Sequence, residues 1–234
     1  MSQPRRILIT GASRGLGKAL AEHLLARGDE VTGCARGEGT IEHAGYAHVQ
    51  ADVTQEADVQ RVMAQVRSRW GGLDVLINNA GVGRMIPFAL TPLETARRVM
   101  ETNYLGTFLA AHGAIRLLRK SAAPRIVNFT SVAVPLRLEG EAVYAAAKSA
   151  VETLTRILAK ELGPMGITCN AVGPSPIRTD LIKNVPEPSL QSLIDRQAIR
   201  HWAEPADVVN VIDFFLRPES RMITGQVLYL GGMG

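Results

Sequence analysis

The sequence predicts an α/β fold, a parallel sheet covered by helices on both faces. Three observations carry that expectation. Short apolar runs alternate with longer amphipathic ones along 234 residues, which is the pattern of strands joined by crossover helices. Hydrophobic residues make up 46% of the chain, enough for a substantial core in one large domain. A glycine-rich turn follows directly on the first apolar run, at the point where such a fold opens its first helix.

Taken in order, the apolar runs 7–10, 31–35, 47–52, 75–78, 125–131, 167–171 and 227–230 read as seven strands. Helical patterns occupy 15–27, 56–70, 93–120, 143–162 and 205–216 between them. The helix beginning after Thr91 has a start signal of its own. Thr91 stands as N-cap, Pro92 at the first helical position, and Glu94 completes a capping box. No internal repeat, low-complexity tract or Pro/Ser-rich linker divides the chain, so one domain over 1–234 is expected. The exception to regularity is 181–201, where Pro186 and Pro188 interrupt a mixed segment that reads as a lid over a substrate site or as a packed surface loop.

Composition excludes several classes of function. Lys+Arg 26 against Asp+Glu 22 leaves a net charge of +4, with arginines dispersed and no basic run interleaved with aromatics, so nucleic-acid binding is unsupported. The sequence pI of about 9.3 suits an anionic partner, whether a phosphorylated cofactor, an acidic carrier or a membrane surface. Cys34 and Cys169 both lie in strand-like runs and read as unpaired core thiols. The five histidines show no metal-ligand spacing with one another or with the cysteines, and no metal site is expected. The first apolar run is too brief for a signal sequence and no apolar stretch approaches membrane-spanning length. A soluble cytoplasmic protein is the resulting expectation.

The turn Thr10-Gly11-Ala12-Ser13-Arg14-Gly15-Leu16-Gly17 joins the first strand to the first helix. Glycines there let the backbone bring its amides against a pyrophosphate at the helix N-terminus, so this placement points to a dinucleotide and to a Rossmann-type, doubly wound parallel sheet. The second strand ends near the adenosine ribose. An acidic residue at that point would hold the 2′-hydroxyl of NAD, but this chain has Ala35 and then Arg36. Arg36, with Arg14 inside the glycine turn, suits a 2′-phosphate and predicts NADP(H).

A second set of residues falls at the carboxyl ends of later strands. Asn78-Asn79-Ala80-Gly81 closes the fourth, Ser131 the fifth, and Asn103 stands on the long helix between them. Thirteen residues beyond Ser131 is Tyr144, and Lys148 lies one helical turn further, so phenol and ammonium share a face. A cation beside a phenol favours its ionised form and makes it a usable acid/base near neutral pH. Each residue also has a plain structural reading: Asn103 as a helix-bending amide, Ser131 as a cap, Asn79 as a turn residue. Their joint placement at the ligand edge of the sheet speaks for chemistry.

Through residues 10–17, Asp52-Val53, 78–81, Asn103, Ser131, Tyr144, Lys148 and 170–179, the chain resembles the short-chain dehydrogenase/reductase family over nearly its whole length. The resemblance implies that Tyr144 is the acid/base, that Lys148 lowers its pKa and contacts the nicotinamide ribose, that Ser131 orients the substrate oxygen, and that Asn103 supports a water-linked proton path. It also implies a cofactor surface of Gly11, Ser13, Arg14, Gly15, Leu16, Gly17 and Arg36, with Asp52 and Val53 at the adenine. Asn79, Ala80 and Gly81 would lie beside the adenosine half, Tyr144 and Lys148 at the nicotinamide ribose, and Pro174, Ile177 and Thr179 around the nicotinamide. Three stretches depart from the family pattern. Pro174-Ser175-Pro176 replaces a common Pro-Gly, the bulkier 132–138 replaces a glycine-containing stretch, and Gly231-Gly232 follows Leu230 where many members have Val-Asp-Gly-Gly.

In length and C-terminal layout the chain is similar to 3-oxoacyl-acyl-carrier-protein reductases. That similarity implies NADPH-dependent reduction of a 3-oxoacyl thioester, linked to acyl carrier protein or coenzyme A. Met165 stands at one rim position that is commonly basic, and dispersed arginines offer a different patch for a carrier. The alternatives are a reductase or dehydrogenase of a free apolar ketone or secondary alcohol, with 132–138 lining its pocket, and a non-catalytic NADP(H)-binding regulator. The family's habit implies a homotetramer or homodimer through the helices containing Asn103 and Tyr144.

Overall fold

In the computed structural model, which describes residues 3–183 and 185–232, strands Arg6–Thr10 (β1), Glu30–Ala35 (β2), Tyr46–Gln50 (β3), Val75–Asn78 (β4), Arg125–Phe129 (β5), Thr168–Gly173 (β6) and Val227–Tyr229 (β7) form one sheet. Its order is β3-β2-β1-β4-β5-β6-β7 and every pairing is parallel. The order reverses between β1 and β4. At such a switch point the flanking crossovers leave on opposite faces and open a crevice beyond the strand ends. Thr10 aligns with Cys34 on one side and Asn78 on the other, and Asn78 with Asn128, so the carboxyl ends of β1, β2, β4 and β5 finish level.

Strand periodicity divides the core in two. Leu8, Leu76 and Ile126 point to one face, where they pack with Val59, Val62, Met63 and Val66 of Glu56–Trp70 (α2), with Ala110, Ala114, Leu117 and Leu118 of Gly106–Leu118 (α4), and with Ala159 and Leu162 of Ala142–Leu162 (α6). Ile7, Ile9, Val75, Ile77 and Val127 point to the other, against Leu20 and Leu24 of Gly15–Ala26 (α1) and Val208, Ile212 and Phe215 of Pro205–Leu216 (α8). Truncating a fully buried Phe such as Phe215 costs about 3–5 kcal/mol, so each layer supports the sheet substantially. Cys34 and Cys169 are buried and unpaired, as the sequence suggests.

The region expected as one helix over 93–120 is three pieces. Leu93–Met100 (α3) and α4 flank a π-helical turn, Glu101–Leu105, which inserts an extra residue. The expected capping box is absent. The helix starts at Leu93 after Pro92, and the Thr91 hydroxyl instead donates to the carbonyls of Ile86 and Pro87. A reciprocal contact of that kind occurs on α8, where the Glu204 N–H donates to Asp207 Oδ2 at 2.8 Å. Two short helices also escape the periodicity, Ala133–Leu136 (α5) and Glu187–Asp195 (α7). Pro186 and Pro188 do not interrupt 181–201; they open α7, because a proline in the first turn gives up only an amide that would lack a partner there. Asn184 within that segment lies outside the described residues.

Candidate active site

The glycine turn is built against β4. The Thr10 hydroxyl accepts the N–H groups of Asn79 and Ala80 at 3.1 and 3.0 Å, and Asn79 Nδ2 donates to the carbonyls of Thr10 and Gly11. Gly17 has no alternative, since a Cβ there would lie 2.2 Å from Gly11 O and 2.4 Å from Asn79 Nδ2. Gly11 and Gly15 adopt φ of 71° and 55°, a region that side chains resist. The first turn of α1 has no side-chain cap and no acidic residue, so its free N–H groups and positive dipole end suit an anion such as a pyrophosphate. Across the crevice, Thr179 Cγ2 would be 3.8 Å from a Cβ on Gly15, so the glycine turn and the loop after β6 face each other.

The remaining cofactor candidates are placed unevenly. Arg36 is exposed just beyond β2, with its carbonyl held by Gln50 Nε2. Arg14 is exposed but paired, 3.3 Å from Asp180 at the start of the 181–201 segment. Asp52 follows β3, and its Oδ1 accepts both the N–H and the hydroxyl of Thr54. Val53 packs on Gly106, where a Cβ would come within 2.7 Å of Val53 Cγ2. Leu16 leans on the core, Ile177 is buried in it, and the Ser13 carbonyl accepts from Thr40. Pro174 O accepts the N–H of Val132 at 3.4 Å, linking the loop after β6 to the Ser131 end of β5.

Tyr144, Lys148 and Ser131 come together where β5 meets α6. The Lys148 ammonium lies 5.9 Å from the Tyr144 ring centroid and donates to Phe129 O at 2.8 Å. Ser131 Oγ accepts the Ala133 N–H, which braces the turn into α5, whose N-cap is Val132. Asn103 is fully buried in the π-helical turn, and its carboxamide bonds Val82 twice, Oδ1 accepting the N–H at 2.9 Å and Nδ2 donating to the carbonyl at 2.8 Å. Its side chain is thus a clamp on the loop after β4. Gly81 is the meeting point: a Cβ there would lie 2.8 Å from Asn103 Oδ1 and 3.6 Å from Lys148 Nζ.

Burial is the largest influence on the titration of both Tyr144 and Lys148. Burial pushes the Tyr144 phenol up to about 12, the Ser131 hydroxyl pulls it back by hydrogen bonding, and the charge of Glu141 adds to the rise. Burial brings Lys148 itself down to about 8. The ammonium gives one of its three N–H donors to Phe129 O and so anchors the end of β5.

Two acidic residues at this site escaped the sequence reading. Glu141 precedes Tyr144 by nearly one helical turn; its Oε2 is buried without a partner, and burial raises its carboxyl to about 7. Glu152 continues the Tyr144, Lys148 face by another turn. It accepts hydrogen bonds from the hydroxyls of Thr130 (2.6 Å) and Tyr229, tying β5 to the last strand. Its spacing from Lys148 was a readable signal. Among the described residues no cluster of His, Cys, Asp or Glu could hold a metal ion, and no helix is long and apolar enough to cross a membrane.

The comparisons with known proteins agree with this geometry. A family model described as enoyl-(acyl carrier protein) reductase matches residues 11–233. The chain is 32% identical over 231 residues to the 3-oxoacyl-[acyl-carrier-protein] reductase FabG of Vibrio cholerae, covering 96% of this chain and 95% of that protein. It belongs to the short-chain dehydrogenase/reductase family. A second relative, the 3-oxoacyl-[acyl-carrier-protein] reductase of Synechocystis, is 35% identical over 237 residues, covering 96% of this chain and 94% of that one. Among solved structures, a 3-ketoacyl-(acyl-carrier-protein) reductase from Brucella melitensis complexed with NADH superposes with a TM-score of 0.89 at 27% identity, covering 97% of this chain and 96% of that chain. Levodione reductase gives 0.90 at 27% identity with the same coverage. As a short-chain dehydrogenase/reductase the protein is an oxidoreductase of CH–OH and C=O groups that uses a nicotinamide dinucleotide. One departure from the short-chain dehydrogenase/reductase pattern now has its place, beside a glycine that keeps to the pattern. Ser175 is 4% exposed, with its hydroxyl on Gln197, and Gly231 lies at φ 83° against the same glutamine.

Proposed function

We propose that the protein is an NADPH-dependent carbonyl reductase that converts a 3-oxoacyl thioester, carried on acyl carrier protein or coenzyme A, to the 3-hydroxyacyl form, with Tyr144 as proton donor. The observation that carries this reading is the half-buried Tyr144 phenol, with the Lys148 ammonium 5.9 Å from its ring and the Ser131 hydroxyl drawing its titration down, at the strand ends that also present the glycine turn. When bound, NADPH would supply the hydride. Negative charge then grows on the carbonyl oxygen, and donors from Ser131 and Tyr144 stabilise that charge more in the transition state than in the substrate. The Tyr144 phenol, titrating well above neutral pH, carries its proton across the neutral range, the form that donation to the carbonyl oxygen requires. Lys148 holds the β5 end in place.

The uncapped N-terminus of α1 and the glycines at 11, 15 and 17 would hold the pyrophosphate, with Arg36 and Arg14 at the 2′-phosphate, the latter released from Asp180. Arg36→Asp should weaken NADPH about ten- to a hundredfold and leave NADH less affected, measured by fluorescence titration. The curated relatives' names favour a 3-oxo over an enoyl substrate, and a Tyr-Ser pair acting on one oxygen suits a carbonyl. A free apolar ketone is the second reading, favoured by Met165, an exposed apolar residue where the resemblance to carrier-protein reductases leads one to expect a base. NADPH oxidation against β-keto thioesters, free ketones and quinones separates the two, with Tyr144→Phe as control. Activity retained by that variant sinks the mechanism, and none on any thioester sinks the substrate.

A further inference from the structure

The loop that leaves β6 is held by an arrangement that joins Ser175, a departure from the family pattern, to the first glycine of the pair after β7. Ser175 donates its hydroxyl to Gln197 Oε1 at 2.6 Å, and Gln197, at the foot of the 181–201 segment, is 2% exposed. The same carboxamide lies on the backbone of Gly231, where a Cβ would come 2.1 Å from Gln197 Oε1 and 3.0 Å from its Cδ. Backbone bonds frame the contact: Ile199 N to Gly231 O at 3.1 Å, Leu230 N to Gly173 O at 3.0 Å, and Ala203 N to Pro176 O at 3.1 Å. A side chain at 175 therefore goes with an amide at 197, and the amide goes with no side chain at 231. Gln197 Nε2 is buried with no partner, a cost that Leu or Met of similar size would avoid. Packing alone gives no reason for an amide here; its bond to Ser175 does.

We propose that Gln197 is a positioning residue for the nicotinamide end of the cofactor, its carboxamide locked between Ser175 and Gly231 so that the 174–177 turn is fixed against the foot of the 181–201 segment. The turn faces the glycine loop through Thr179, and its Pro174 carbonyl holds Val132 beside Ser131, so a shift of the turn reaches both cofactor and substrate oxygen. The three residues act as one unit, and dinucleotide binding and the ordering of the 181–201 segment are coupled through them.

This rests on the nicotinamide-dinucleotide reading, and the test does not depend on the substrate. NADPH and NADH dissociation constants are measured by fluorescence on the full chain and on Ser175→Ala, Gln197→Met and Gly231→Asn, which break the same contact from three sides. Each single change should raise the dissociation constant about three- to tenfold. Any pair should do no more than the worse single change, and Ser175→Thr, which keeps the hydroxyl, should bind as the parent does. In parallel, bound dinucleotide should slow tryptic cleavage after Arg196 and Arg200 in the parent and not in the three variants. Effects that multiply in the pairs, or a lowered melting temperature with unchanged dissociation constants, overturn the proposal. If Gly231→Asn does not fold, the Ser175→Ala, Gln197→Met pair decides alone. A parent chain that binds neither dinucleotide overturns both this and the cofactor reading, whereas equal binding by all variants overturns only the interlock.

Discussion

At Tyr144 the sequence showed which residues meet but not how they titrate. The four-residue spacing to Lys148 is local and survives any packing on a helix, so it was legible. The direction of the phenol's shift depends on burial and on Glu141, whose surroundings are assembled from afar: the Ile86 N–H bonds Gly140 O and brings the loop after β4 over the start of α6. Glu141 offers a measurable consequence. Its folded carboxyl is raised from 4.5 to about 7, so the folded chain holds a proton that the unfolded chain has lost, and stability falls as pH rises through that interval. Glu141→Gln removes this penalty. It should be more stable than the parent at pH 8, on the order of 2 kcal/mol, and little different near pH 4.5, as read from urea unfolding at the two values. With the carboxylate gone, Tyr144 ionises more readily, so the basic limb of the reductase pH profile should move to lower pH.

Among the elements, strands and crossover helices were visible because each carries its period, while irregularities that shape the site were not. Residues 93–120 keep an apolar pattern throughout, and the π-helical turn that aims Asn103 inward adds one residue that periodicity cannot register. Likewise, Pro186 and Pro188 were read as breakers, although a proline starts a helix as readily as it ends one. Thr91 is not the cap because the helix starts one residue late, at Leu93 with Pro92 before it, and the Thr91 hydroxyl donates to the carbonyls of Ile86 and Pro87. Asn103→Ala should leave both backbone groups of Val82 without their partner and cost about 1–3 kcal/mol in urea unfolding. Asn103→Asp keeps the acceptor for the Val82 N–H but places a carboxylate against its carbonyl, and it should be no better than the alanine variant.

For the whole molecule, the order of the sheet was implied once the glycine turn and the strand alternation were read together, since a dinucleotide turn after β1 requires the reversal between β1 and β4. What stayed hidden was the part contributed by the last residues, because Gln197 and Gly231 become neighbours only in three dimensions. The helices containing Asn103 and Tyr144 leave Phe108 and Ile157 41% and 47% exposed, more apolar surface than the core uses. Phe108→Glu with Ile157→Glu should lower the sedimenting mass if these faces join copies of the chain, while an unchanged mass would assign the exposure to the monomer surface. The parallel pairing of β7 with β6 also bears on how the site hangs together. Tyr229 of β7 donates to Glu152 on α6, and Gly231 lies against Gln197 at the foot of the 181–201 segment, so residues distant in sequence are tied on both sides of the loop after β6. Contacts of such long range form only as the sheet closes, so the walls of the crevice gain their shape in the same cooperative step as the core.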